Sequence, residues 1–174
     1  MSSEKDNWFI EHFDSAGTAF GLRLKRKLES VQTDYQHIEM WDTDTFGYLM
    51  TIDGATMLTT RDNFLYHEMM AHPALFSHTA PRNVLIIGGG DCGTLREVLR
   101  HGEVASAVQI DIDEQVTRFS EKYFPELCES NSDERAELRF EDGVKFMQEC
   151  EAGRFDVIIV DSTDPVGPAE GLFK

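Results

Sequence analysis

The apolar run Val84-Leu-Ile-Ile87 passes directly into Gly88-Gly-Gly-Asp-Cys-Gly93 and then into a helical stretch reaching about His101. No other segment constrains the fold as strongly. An uninterrupted apolar run is what a strand buried on both faces requires, and such strands belong to parallel sheets covered by helices. Gly88, Gly90 and Gly93 form a GxGxxG pattern between that strand and that helix. Having no side chains, these residues let the chain turn sharply and let a ligand approach the backbone and the helix N-terminus. The same alternation continues downstream. Strands are expected over 105–110, 137–140 and 155–160, with helices over 114–123 and 144–151. Strands alternating with helices mean βαβ units and an α/β, Rossmann-like sheet.

The upstream third reads differently. Residues 18–24, 35–41 and 46–52 are rich in β-branched and aromatic side chains with partial alternation, which predicts short strands. Asp53-Gly54 ahead of 55–58 is a hairpin signal, because glycine tolerates the positive φ of a tight turn. Asp62 is placed to cap a helix over 63–77. Thr79-Ala-Pro-Arg-Asn83 then reads as a linker, so the boundary is expected near residue 79. Residues 1–78 would form a small N-terminal β-domain with a connecting helix, and 79–174 the Rossmann-like domain. Only four strands of that sheet precede Lys174, about half of a normal doubly wound domain, so the sheet is expected to be incomplete at the C-terminus.

Charge narrows the partners. Among 174 residues there are 32 acidic and 16 basic side chains, a net charge of -16. Binding nucleic acid needs clustered Lys and Arg, so no nucleic-acid surface is expected. The same charge suits a cationic small molecule, or simply solubility or a salt-adapted host. No apolar run approaches the ~18 residues of a membrane-spanning helix, so no membrane partner is expected. Met-Ser-Ser-Glu-Lys-Asp-Asn-Trp8 lacks the basic and apolar regions of a signal peptide. Cys92, Cys128 and Cys150 show neither CxxC pairing nor metal spacing, which favours a reducing cytoplasm and predicts no metal site.

Four positions carry candidate chemistry. Asp111 ends the second parallel strand 18 residues after Gly93, where an acidic residue binds ribose hydroxyls. That pairing alone leaves a dinucleotide and an adenosylmethionine-type nucleoside both open. Asp91, inside the glycine turn, would repel a pyrophosphate and attract a sulfonium or an amine; its plainer role is to cap the following helix. Glu141-Asp142-Gly143 stands where class I methyltransferase-like folds contact the adenine amino group, and is equally well a simple turn. Last, Arg154-Phe-Asp-Val-Ile-Ile-Val-Asp-Ser-Thr-Asp-Pro-Val-Gly-Pro168 runs from a buried strand into a loop bearing Asp161 and Asp164. Carboxylates at that end of a parallel strand open into the ligand crevice, and two of them suit a polycation, unless they merely solvate the strand end. His72, His78 and His101 read as surface or helix-end residues, and Phe64, Met69 and Met70 as helix core.

Taken together, Val84-Leu-Ile-Ile-Gly-Gly-Gly-Asp-Cys-Gly-Thr-Leu-Arg-Glu97, Asp111-Ile-Asp113, Glu141-Asp-Gly143 and Asp161-Ser-Thr-Asp-Pro165 closely resemble the polyamine aminopropyltransferases, the spermidine synthases in particular. Tyr35-Gln36, Phe46-Gly47, Ile52-Asp-Gly54, Thr60-Arg-Asp62 and Tyr66-His-Glu-Met69 match in the same order. The resemblance implies a cytoplasmic homodimer or homotetramer with a class I methyltransferase-like catalytic domain. It implies a transferase of polyamine biosynthesis that moves the aminopropyl group of decarboxylated S-adenosylmethionine, a co-substrate, to putrescine, giving spermidine and 5'-methylthioadenosine with no tightly bound cofactor. By position, Gln36, Gly88, Gly90, Asp111, Asp142, Gly143 and Pro168 would hold the methylthioadenosine part. His67, Asp91, Asp161, Ser162, Thr163 and Asp164 would face the aminopropyl and polyamine chains, with Asp161 as proton acceptor and Tyr66 positioning the amine. Asp111 stands where the family usually has Glu, Met57 where Gln is common, and Cys92 where Gly or Ala is frequent. An S-adenosylmethionine-dependent amine N-methyltransferase on the same fold, and an inactive nucleoside- or polyamine-binding fragment, are the alternatives.

Overall fold

The computed structural model describes residues 7–163. The chain divides into two compact units, Met1–Asn63 and Phe64–Lys174.

The first unit is a five-stranded antiparallel meander: β1 (Trp8–Phe13), β2 (Thr18–Gln32), β3 (His37–Thr43), β4 (Tyr48–Ile52) and β5 (Ala55–Thr59), paired in that order. Leu22, Leu24 and Leu49 form its buried cluster, with Phe9, Trp41 and Phe46 packed around them. The Asp53-Gly54 hairpin is as expected, both residues taking positive φ (50° and 81°). Two parts of this sheet were not expected. β1 lies upstream of the expected strands, and β2 runs eight residues beyond Leu24 through Lys25-Arg-Lys-Leu-Glu-Ser-Val-Gln32. That segment is polar because its side chains are largely exposed, and Lys25 and Lys27 instead pair across the strands with Asp42 and Glu39. Register shifts between Leu24 and Arg26 and between Lys27 and Glu29 break its alternation further.

The second unit holds most of α1 (Asn63–Ser77), then β6 (Asn83–Gly88), α2 (Gly93–Leu99), β7 (Ser106–Asp111), α3 (Glu114–Tyr123), β8 (Ala136–Phe140), α4 (Gly143–Glu149) and β9 (Val157–Asp161). All strand pairs are parallel, in the order β8-β7-β6-β9. β6 explains why its sequence does not alternate. Val84 and Ile86 join one buried cluster with Ala71, Leu75, Leu95 and Val98, while Leu85 and Ile87 join another with Val108, Ile110 and Phe146. Because Ala71 and Leu75 of α1 share the core of β6, the linker expected near residue 79 lies inside this unit, and the division falls at Asn63 instead.

The strand order fixes where a ligand crevice must lie. From β6 the chain steps one way to β7 and β8, then returns to place β9 on the other side. The carboxyl ends of β6 and β9 therefore flank a topological switch point, where open α/β sheets bind ligands.

Candidate active site

At that switch point Gly88 pairs with Asp161, and the Gly89 amide donates to the Asp161 carbonyl at 2.7 Å. A β-carbon on Gly88 would lie 2.0 Å from that carbonyl oxygen, so only glycine lets the two strand ends approach this closely. The other turn glycines also make room for functional groups. A β-carbon on Gly90 would meet Asp111 Oδ2 at 2.7 Å, and one on Gly93 would meet the His67 ring at 2.2–2.5 Å.

Asp161 is buried, and both of its oxygens are engaged. Oδ1 accepts from the Tyr66 hydroxyl and Oδ2 from the Thr94 hydroxyl, each at 2.6 Å. Burial pushes the Asp161 carboxyl up, and the nearby Asp91 charge adds to it; the bonds from Thr94 and Tyr66 and the His67 charge pull the other way. Tyr66 is pushed far above the ordinary phenol range, by burial first and then by Asp161, so it remains a donor. His67 is buried, with Nε2 3.1 Å from Asp91 Oδ1. Burial alone would lower its pKa, yet the bond to Asp91 and that carboxylate's charge raise it overall. Burial likewise works against the Asp91 carboxylate, but the His67 bond and charge and the Gly93 amide hold it below the usual range. Asp91 Oδ1 accepts from the Gly93 amide at 2.7 Å just ahead of α2, whose N-cap residue is Cys92, and its charge bears on Asp161.

Asp111 ends β7 with Oδ1 accepting from the Asp113 amide at 2.8 Å. Burial pushes it up to about 6, against the pull of the Asp113 and Gly90 amides. Asp142 is the N-cap of α4: its Oδ1 accepts from the Val144 and Lys145 amides at 2.8 and 3.2 Å. Gly143 admits α4 to the sheet, since a β-carbon there would press on Ile87 at 2.7 Å. Ser162 donates to the Thr163 carbonyl at 3.2 Å just past β9. Gln36 belongs to the first unit, in the turn after β2, where its carbonyl accepts from the Thr33 amide at 3.0 Å. Asp164 and Pro168 lie outside the described residues.

The second unit thus gathers Tyr66, His67, Asp91, Asp111, Asp142 and Asp161 from α1, the glycine turn and the ends of β7, β8 and β9. Two supporting residues carried no signal in the sequence: Thr94, and Thr117 of α3, whose buried hydroxyl donates to the Gly90 carbonyl at 2.7 Å and pins the turn. Each looks like any other helix threonine until β9 and the turn are in place. His72 and His101 are joined by a 2.9 Å hydrogen bond between α1 and the segment after α2.

This fold and this crevice define a Rossmann-like protein of the methyltransferase-like class whose ligand end is acidic. Comparison with known proteins gives the family. Residues 63–174 match the spermine/spermidine synthase domain, and residues 7–60 the spermidine synthase tetramerisation domain. The chain is 67% identical over 172 residues to a polyamine aminopropyltransferase of Xanthomonas axonopodis pv. citri (strain 306), covering 99% of this chain and 60% of that protein. It is 66% identical, with the same coverage, to one of Xanthomonas oryzae pv. oryzae (strain PXO99A). A crystal structure of spermidine synthase in complex with the transition state analogue AdoDATO superposes with a TM-score of 0.91 at 38% identity, covering 98% of this chain and 58% of that one. Spermidine synthase from Thermotoga maritima gives 0.84 at 37% identity, covering 91% and 55%. The chain belongs to the spermine/spermidine synthase family, and it spans about 60% of the length of the curated relatives.

Proposed function

We propose that this polypeptide carries the nucleoside site and catalytic base of a polyamine aminopropyltransferase, which moves the aminopropyl group of decarboxylated S-adenosylmethionine to putrescine. The observation that carries the reading is the Asp161 carboxylate at the switch point, bonded to Tyr66 and close enough to Asp91 to feel its charge. Such a cluster suits a cationic substrate and repels a pyrophosphate. An amine like that of lysine has a pKa near ~10.4, so putrescine arrives as a dication that carboxylates hold but keep protonated. The adjacent sulfonium opposes this by lowering the pKa of the nearest nitrogen. Asp161 accepts its proton, and the free lone pair attacks the carbon next to sulfur. A carbon–nitrogen bond forms, the carbon–sulfur bond breaks, and the sulfonium leaves as the neutral thioether methylthioadenosine, so no acid is needed. Orientation and electrostatics supply the acceleration. Asp91 also disfavours the carboxylate of ordinary S-adenosylmethionine by like-charge exclusion.

In this reading Asp111 takes the ribose hydroxyls, Asp142 the adenine amino group, and Gly88, Gly90 and Gly143 the space around the nucleoside. By the family resemblance alone, Gln36 and Pro168 are assigned to the nucleoside, and His67, Ser162, Thr163 and Asp164 to the polyamine. A homodimer or homotetramer is part of the reading, supported by the tetramerisation-domain match and by exposed Trp8, Ile10, Phe13 and Phe20 on β1 and β2. Among the described residues no helix is long and apolar enough to cross a membrane. The three free thiols favour the cytoplasm.

Thermal shifts test the reading. Methylthioadenosine or decarboxylated S-adenosylmethionine at 100 times its dissociation constant stabilises by about 2.7 kcal/mol, a rise of about 5–10 °C in Tm for a chain of this size. Ordinary S-adenosylmethionine should give far less. A preference for it would point to methyl transfer, and no shift from any of the three would sink the nucleoside site.

The shift should also depend on pH. Asp111 has a folded pKa of about 6 against an ordinary 3.8, so the fold disfavours its ionised form and the apo chain loses stability as pH rises through that window. Ribose hydroxyls donate to the ionised form and favour it. Methylthioadenosine affinity should therefore fall about tenfold between pH 7.5 and pH 5. Equal affinity at pH 5 and 7.5 by titration calorimetry would remove Asp111 from the ribose.

A further inference from the structure

Thr94 holds the second oxygen of Asp161. It follows Gly93 at the start of α2, is fully buried, and its Oγ1 lies 2.6 Å from Asp161 Oδ2. Being in the first turn of α2, Thr94 has no helical carbonyl four residues behind it, and its hydroxyl reaches across to β9 instead. A hydroxyl facing an ionised carboxylate can only donate to it, so the contact favours the charged form. Of the influences that pull the Asp161 carboxyl back down against burial and Asp91, the Thr94 bond comes first, ahead of Tyr66 and His67.

We propose that Thr94 is a positioning residue for aminopropyl transfer: by occupying Oδ2 it fixes the carboxylate plane, leaving Oδ1, shared with Tyr66, to take the proton. The role rests on the reading of Asp161 as proton acceptor. It acts only through Asp161, so its loss should change the base rather than the binding of either substrate.

Thr94→Val keeps the shape and removes the donor, and Thr94→Ser keeps the donor. The first readout needs no turnover: the Asp161 carboxyl, followed by carbon NMR in aspartate-labelled protein and assigned with Asp161→Asn. Loss of a hydrogen bond to a charged group should raise its titration midpoint by about one pH unit in Thr94→Val, with Thr94→Ser close to wild type. In the intact enzyme the acid limb of the kcat profile should move up with it. There kcat should fall about tenfold, KM for putrescine should stay within about twofold, and Thr94→Ser should restore both. Should the valine variant not fold, Thr94→Ala removes the same donor without placing a methyl against the carboxylate. An unmoved midpoint in either folded variant overturns the role of Thr94. A wild-type enzyme without aminopropyl transfer overturns the reading of the reaction instead, and the carboxyl titration still decides on Thr94.

Discussion

Asp161→Asn should abolish aminopropyl transfer while making the apo protein more stable. The rate loss follows from the role proposed for Asp161: a positioned proton acceptor contributes about 10²–10⁴-fold, and an amide cannot replace it. The stability gain follows from what the carboxylate endures in the fold. Burial, and then the Asp91 charge, raise its folded pKa above the ordinary value, so at neutral pH the fold disfavours its ionised form. A neutral amide of the same shape lifts that penalty. It need not orphan its neighbours either, because the Tyr66 and Thr94 hydroxyls can each donate to the amide oxygen or accept from the amide nitrogen. The Tm advantage over wild type should widen as pH rises above the ordinary carboxylate range, because the unfolded carboxyl ionises first and the folded one lags behind it. The Tm rise from methylthioadenosine should be retained. Near-wild-type turnover would dismiss Asp161 as the base. A variant less stable than wild type at pH 8 would mean that the two hydroxyl bonds outweigh burial and Asp91.

The second unit was legible in the sequence because its physics is local. A strand buried on both faces shows as Val84-Leu-Ile-Ile87, and the turn that follows must be glycine-rich whatever the distant chain does. The acids stood out because parallel strands deliver their carboxyl ends to one side, so Asp111 and Asp161 share a crevice by topology alone. What stayed hidden depends on contacts between distant residues. Thr94 matters only because β9 brings Asp161 to it across 67 positions, and the second half of β2 is a strand because β3 pairs with it, against its own polar composition. The helix α1 shows in the sequence, but the unit it packs into does not. Its punctuation, Thr79-Ala-Pro-Arg, marks the end of the helix, whereas the division of the chain follows the burial of Ala71 and Leu75.

Gly88→Ala should be the most damaging single methyl in the second unit. Two costs coincide there. Its φ is +85°, a conformation that costs a residue with a β-carbon about 1–2 kcal/mol. The added carbon would also stand 2.0 Å from the Asp161 carbonyl oxygen and 2.8 Å from its carbon, both backbone atoms that cannot swing aside as a side chain does. Relief requires parting the ends of β6 and β9, which breaks the bond from the Gly89 amide to that carbonyl and removes a further ~1 kcal/mol. With strain in the neighbouring strands the loss should reach about 3–5 kcal/mol, a large share of the 5–15 kcal/mol typical of a folded domain. Tm should fall by about 10–15 °C. Gly153→Ala separates the two costs: its φ is +76°, yet a β-carbon there meets nothing within 4 Å, so it should lose only ~1 kcal/mol. Any folded Gly88→Ala protein should also lose turnover, because parting the strands carries the Asp161 carboxylate away from Tyr66 and Thr94. Equal Tm losses in the two alanine variants would show that the strand ends yield easily, and the close approach of β6 and β9 would then not be what holds the base in place.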